Sequence, residues 1–257
     1  YDIGNLTLQG GRFVTLAGME VINSGGNINA SRSTLFTLQP LRHDGVRATY
    51  KFNDMLAVTL GVVNSMWDTN LGFFGGGGNN DNNSDVTFEA QIALNLAKNL
   101  SVYLTGYTGN EDFSGGGEGG TDDADQRFDV LDLVMNYDLT DNIYLGLNAN
   151  YFNQEDEFGG GHTEAKGAAL YANWKFLPTT RVALRGEYVA FDDFGGDFII
   201  RTATVTLGHQ LTENLELLAE FRHDKATGDA FPEIFAPIDG GFEDDQYTGT
   251  LKAILRF

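Results

Sequence analysis

Apolar and polar residues alternate one by one in stretch after stretch of this chain. In Leu100–Thr105, Leu100, Val102 and Leu104 fall on one face of an extended backbone and Ser101, Tyr103 and Thr105 on the other. In Val86–Asn95, Val86, Phe88, Ala90, Ile92 and Leu94 oppose Thr87, Glu89, Gln91, Ala93 and Asn95. Val182, Leu184 and Tyr188 stand against Arg181, Arg185 and Glu187, and Ala203, Val205 and Leu207 against Thr202, Thr204 and Thr206. A period of two marks a β-strand with one apolar face. The pattern predicts twelve strands, at 3–14, 44–52, 55–65, 84–97, 100–109, 125–138, 142–153, 163–176, 180–191, 197–210, 214–224 and 245–257. Many exceed the roughly 5–6 residues of a globular strand. They match the roughly 9–11 tilted residues that cross a bilayer.

The connections alternate in length. Short turns fall at Asn53-Asp54, Lys98-Asn99, Thr140-Asp141, Pro178-Thr179 and Thr212-Glu213, and long polar loops at 15–43, 66–83, 110–124, 154–162, 192–196 and 225–244. Short turns on one side and long loops on the other are the asymmetry of outer-membrane barrels. In hydrocarbon every backbone N–H and C=O must be paired internally, so such a sheet must close on itself. The expected fold is all-β: a transmembrane antiparallel up-and-down β-barrel, twelve strands in this chain, forming one domain over 1–257. Tyr50, Phe52, Tyr137, Tyr151, Trp174, Phe176 and Tyr188 lie near strand ends, where interfacial aromatics sit. The last strand alternates Tyr247, Gly249, Leu251, Ala253 and Leu255 and ends on Phe257, a pattern resembling the terminal strand signal of outer-membrane proteins.

Charge narrows the function. The formal net charge is −20, which excludes nucleic acid as a partner. The acids concentrate in runs such as Glu111-Asp112, Asp122-Asp123-Ala124-Asp125, Glu155-Asp156-Glu157, Asp192-Asp193 and Glu243-Asp244-Asp245, which read as solvated loop surface. There is no cysteine, hence no disulfide and no thiolate metal site. Alternation directs Arg47, Lys51, Lys175, Arg181, Arg185, Arg222, Lys252 and Arg256 inward, with Glu89, Asp132, Glu187, Glu216 and Glu220, so the inferred wall is slightly basic. Loop 15–43 adds Glu20 and Arg32. Its Leu16, Met19, Val21, Ile22 and Leu35 are too apolar for a purely exposed loop, so it either folds into the lumen or packs on a neighbouring subunit. The candidates for pore lining or constriction are Arg47, Lys51, Glu89, Asp132, Arg181, Arg185, Glu187, Glu20 and Arg32. The competing role for these charges is ion pairing between adjacent strands.

Other chemistry is weakly supported. No cofactor or metal is expected: the oxygen-rich stretch Gly115–Asp123 lacks EF-hand spacing. His223-Asp224 and Asp192-Asp193 could meet at the outer rim and activate water, but acids are common in every loop, and the chain is not expected to be an enzyme.

Gly11-Arg12-Phe13-Val14-Thr15-Leu16-Ala17-Gly18-Met19-Glu20-Val21-Ile22, then Ser31-Arg32-Ser33 with Phe36, His43-Asp44-Gly45-Val46-Arg47-Ala48-Thr49-Tyr50 and Gly61-Val62-Val63-Asn64 together resemble the β-barrel porin-2 family of outer-membrane proteins. The specific resemblance covers about residues 11–65. Asp44 departs from it, since a small hydroxyl residue is usual there. The resemblance implies a porin, with strands ahead of the Gly-Arg-Phe segment. If loop 15–43 is the one that follows the fifth strand of general porins, the complete barrel has sixteen strands; otherwise strand 1 closes on strand 12. The expected function is a water-filled channel for passive diffusion of small polar solutes and ions. The expected partners are outer-membrane lipid, lipopolysaccharide and the solutes, with a homo-oligomer, a trimer, as a further possibility. The alternative is a non-conducting structural barrel whose acidic loops bind divalent ions, lipopolysaccharide or a partner protein.

Overall fold

The computed structural model describes residues 1–66, 86–112, 125–156, 162–192, 197–228 and 245–256. The strands are β1 (Asp2–Ile3), β2 (Leu6–Val14), β3 (Arg42–Lys51), β4 (Leu56–Val63), β5 (Thr87–Ala97), β6 (Leu100–Asp112), β7 (Asp125–Thr140), β8 (Ile143–Asp156), β9 (His162–Leu177), β10 (Thr180–Asp192), β11 (Phe198–Thr212), β12 (Leu215–Gly228) and β13 (Asp245–Leu255). They form one sheet of 13 strands in sequence order, every neighbour antiparallel. This is the up-and-down meander of an outer-membrane barrel.

Twelve long strands stand where the alternation places them. The thirteenth is a two-residue piece. The predicted strand 3–14 breaks after Ile3, where Gly4 takes φ +60, a conformation that costs glycine nothing. Ile3 then pairs back on Leu6. The ladder does not close within the chain: among the described residues no strand pairing joins β13 to β1 or β2, so closure of strand 1 on strand 12 is not what the structure shows.

The strands also run further at the loop side than expected. β6, β7 and β8 extend through Asp112, from Asp125 and through Asp156, because Glu111 still pairs with Gln126 and Gln126 with Asp156. Acidic residues read as loop, including Glu111, Asp112, Glu155, Asp156, Asp192 and Asp245, therefore lie on strand tips. Asp122, Asp123, Glu157, Asp193, Glu243 and Asp244, the stretch Gly115–Asp123 and Phe257 lie outside the described residues.

The short turns have local causes. Asn53 Oδ1 accepts from the N–H groups of Met55 and Leu56, and Thr140 Oγ1 and Thr212 Oγ1 accept from the N–H groups two and three residues ahead. These are Asx and hydroxyl turns, in which a short side chain replaces a backbone partner. Ladder irregularities gather at the same end, at Asn95/Ala97, Asp138/Thr140, Thr180/Arg181 and Gln210/Thr212.

The outer face is an apolar band. Leu60, Phe88, Leu131, Leu170, Leu184, Val205, Leu217, Phe221 and Leu251 all expose large side chains there. A continuous apolar band of this kind is uncommon on a water-facing surface and is what a lipid face requires. At the short-turn end, Tyr50 meets Phe52 edge-on at 4.8 Å and Trp174 meets Phe176 at 5.6 Å.

Candidate lumen and constriction loop

The inward face is defined by what touches the segment between β2 and β3. That segment does not stand out from the barrel. It crosses the lumen and bonds in turn to β5, β6, β7, β8, β10, β11, β12 and β13. The inward-folding alternative of the sequence reading is the arrangement observed.

The anchoring is mostly main chain of the loop against side chains of the wall. Leu16 N–H donates to Tyr107 Oη at 2.8 Å, and Leu16 C=O accepts from Gln91 at 2.9 Å. Gly18, at φ +85, points its N–H at Asp132 Oδ1, 2.8 Å away. Met19 N–H reaches Asn148 at 3.2 Å. Ala30 and Ser31 N–H donate to the two oxygens of Glu220 at 2.6 and 2.9 Å, and Thr34 N–H donates to Glu187 at 2.6 Å. The carbonyls are used as well: Arg181 donates to Ile28 C=O at 2.6 Å, Arg222 to Arg32 C=O at 2.6 Å and Lys252 to Ser24 C=O at 2.8 Å. An irregular backbone buried in a barrel carries orphan donors and acceptors, and each unsatisfied one costs about 1–3 kcal/mol. Polar inward residues of the strands supply the missing partners.

Three charged knots hold the loop and wall together. At the first, Arg47 makes a bidentate pair with Glu89, Nε–Oε1 2.7 Å and Nη2–Oε2 2.9 Å, while its guanidinium lies 3.7 Å from the Phe13 ring centroid. Gly61 makes room: a Cβ there would stand 2.3 Å from Glu89 Oε1. The second is Arg185, whose side chain has 0% exposed surface. It pairs with Glu20 of the loop at 2.9 Å and with Glu187 on its own strand at 2.7 Å, and also donates to Ser31 C=O at 2.8 Å. At the third, Arg181 and Arg256 share Glu216, at 2.8 and 3.2 Å. Arg222 pairs with Asp224 at 2.7 Å close by. Buried pairs of this kind are roughly break-even to form and costly to break by removing one partner.

The predicted lining residues thus fall into two groups. Glu20, Arg47, Glu89, Asp132, Arg181, Arg185 and Glu187 lie between loop and wall, committed to one another or to loop backbone. Arg32 is partly buried, donates to Ile22 C=O and stacks over Phe36, 4.1 Å from its centroid. Lys51 stands apart at the short-turn end, paired with Asp54 at 2.9 Å and largely exposed. With Lys51 outside and Glu20 and Asp224 placed inside, seven carboxylates stand against the seven remaining wall cations and Arg32 of the loop, so the slightly basic wall of the sequence reading becomes nearly neutral. Tyr107, Asn148 and Gln91 were missed as loop anchors. Their inward position was legible, but the loop atoms they meet were not.

At the loop end the inward face is apolar. Phe128, Val130, Phe152, Ala165, Val189, Phe191, Phe198 and Ile200 pack with Ala17, Leu35 and Leu38 of the loop and with Met66. Phe191 and Phe198 stack at 4.5 Å between centroids. The 3-10 turn Leu35–Leu38 inserts its leucines here.

Among the described residues, the groups considered for hydrolysis are engaged elsewhere. Asp224 points inward, accepting from Thr202 Oγ1 at 2.6 Å, whereas His223 is on the opposite face with Asp245 at 2.7 Å. Asp192 pairs with Lys166.

Solved structures share this architecture. The chain superposes on OmpT of Vibrio cholerae (in-vitro folded) with TM-score 0.64, 17% identity, covering 96% of this chain and 75% of that one. DcaP, an outer membrane channel of Acinetobacter baumannii, gives TM-score 0.63, 15% identity and 96% and 71% coverage. An anion-selective porin from Comamonas acidovorans gives 0.55, 14%, 73% and 50%. At these identities the likeness shows the fold. Among curated proteins none matches the sequence. The family model for beta-barrel porin-2, OmpL-like proteins matches residues 3–257, far beyond the segment that first suggested it. With its lipid-facing band, antiparallel meander and inward loop, the chain belongs to this porin family of the outer membrane.

Proposed function

We propose that the protein is a channel for passive diffusion of small polar solutes, in which segment 15–41 is the constriction. The observation that carries this is the fixed course of that segment across the lumen, bonded through its backbone to wall side chains from β5 to β13. A porin needs a narrow passage held open against collapse, and a loop tied at many points supplies one. No catalytic step is required. Outer-membrane lipid and lipopolysaccharide cover the apolar band, and a homotrimer is the assembly we favour, as OmpT of Vibrio cholerae has a trimer form.

A second reading rests on the apolar packing at the loop end, where Leu35, Leu38, Phe128 and Phe152 fill inward space. If that packing seals the lumen, the protein is a structural barrel. Planar-bilayer recording of the purified, folded protein in a potassium chloride gradient separates the two. Stable, stepwise conductance supports the channel. Silence from protein shown to be inserted supports the sealed barrel.

A further inference from the structure

Near the long-loop end the outward face carries exposed cations above the apolar band. Several are neutralised by a neighbour: Arg12 by Asp44, Arg127 by Asp129 at 3.0 Å and Lys166 by Glu164 at 2.7 Å. Arg201 differs. Its cross-strand neighbours are Tyr188 on β10 and Lys225 on β12, all three exposed and all on strands paired along both edges. Its guanidinium lies 5.5 Å from the Tyr188 ring centroid and donates to Thr227 Oγ1 at 3.3 Å, and among the described residues it forms no ion pair. Lys225 reaches Asp245 at 3.5 Å, a carboxylate that His223 already holds at 2.7 Å. Like charges directly opposite on adjacent strands destabilise a sheet. Here two cations face each other in a chain of net charge −20.

Beneath the pair the surface is low. Gly186 and Ala203 pair in the next outward row, and a Cβ at Gly186 would meet nothing within 4 Å. The row after that is apolar and exposed, with Leu184, Val205 and Phe221 side by side.

We propose that Arg201 and Lys225 hold a phosphate of lipopolysaccharide against the outer wall, with an acyl chain laid over Gly186 and Ala203 onto Leu184 and Val205. The inference rests on the lipopolysaccharide contact of the reading above and is independent of whether the lumen conducts. The long-loop end of such a barrel is its extracellular end, so the two cations stand at the level of the outer-leaflet headgroups. A phosphate between them relieves their repulsion and accepts charge-assisted hydrogen bonds from both. Tyr188 suits the same level, with an apolar ring and a polar hydroxyl. Cations above apolar rows match a phosphorylated headgroup above its acyl chains.

The test is binding of lipid A to the full chain in detergent micelles, read as bound copies by native mass spectrometry. The probes are bisphosphorylated and dephosphorylated lipid A. The parent is expected to prefer the bisphosphorylated form. Arg201→Gln combined with Lys225→Gln is expected to weaken that form at least about tenfold and to leave the dephosphorylated form unchanged. Equal affinity of parent and double variant for bisphosphorylated lipid A, in protein with unchanged β-sheet circular dichroism, overturns the proposal while leaving the contact through the apolar band intact. If the double variant does not fold, Lys225→Gln alone decides: a loss of about fivefold is expected, and no loss overturns the proposal. Arg127→Gln, at a cation already paired with Asp129, is expected to change the affinity by less than about twofold. An equal loss there would make the attraction general surface charge and overturn the site. Inorganic phosphate, compared with chloride at the same ionic strength, is expected not to displace lipid A, and displacement would overturn the lipid assignment. Binding of neither probe by the parent overturns this proposal and the lipopolysaccharide contact together, whereas a silent bilayer recording sinks the channel alone.

Discussion

Two levels of the same inward face are built from opposite chemistry. Near the long-loop end, Phe128, Phe152, Val189 and Ile200 pack on Leu35 and Leu38 as in a globular core. Deeper in the barrel, positions on the same strands carry Asp132, Asn148 and Arg185, which bind loop backbone and loop carboxylate, and Thr204, which accepts from Arg185. Both levels obey one alternation, although the outward face is apolar beside the deeper level and carries the ion pairs Arg127–Asp129 and Lys166–Glu164 near the long-loop end. The difference lies in what the loop presents: side chains of a 3-10 turn above, bare N–H and C=O groups below. An inward position is polar where it must satisfy a backbone and apolar where it meets leucine.

The comparison is broken most sharply at Arg185. Arg185→Ala leaves Glu20 and Glu187 buried without their cation, a loss of about 3–5 kcal/mol. Urea unfolding is expected to shift accordingly, and trypsin is expected to cut at Arg32 in the folded variant. A protected Arg32 would mean the backbone bonds alone hold the loop. Leu35→Ala, in the apolar layer, is expected to cost about 2–5 kcal/mol from lost burial and a residual cavity. It is expected to leave the deeper ion pairs, and so the reversal potential, unchanged. Gly61→Ala drives a methyl into Glu89, with an expected cost of about 1–3 kcal/mol of strain. Replacing Glu89 with Gln in the same chain should recover little, because Arg47 then loses its carboxylate; full recovery would show that Gly61 matters for another reason.

The smallest effect is at Lys51 and Asp54, at the exposed short-turn end of β3. Lys51 holds the Asp54 carboxyl below its ordinary value through a hydrogen bond and its charge. A lowered folded-state value means the pair contributes above the unfolded carboxyl's pKa and fades as pH falls through the folded one. Asp54→Asn is therefore expected to match the parent in thermal unfolding at acid pH, below both values, and to differ only slightly at neutral pH. The pair is solvent-screened. A large difference at neutral pH would place this turn among the structural determinants.

Strand identity, order and facing were legible from the chain alone, because a period of two needs no partner to be seen. Ala203, Val205 and Leu207 against Thr202, Thr204 and Thr206 already states which side meets lipid. The short turns were legible for the same local reason: Asn53, Thr140 and Thr212 bond to backbone two or three residues away. The excess of apolar residues in 15–43 pointed to burial but left its partner open. Only the tertiary structure decided that Gly18 meets Asp132, that Glu20 meets Arg185 and that Arg47 faces Glu89 across β4, since these contacts span 114, 165 and 42 residues. Alternation records the face a side chain takes, whereas its partner depends on where a distant, irregular backbone leaves a donor or acceptor unpaired.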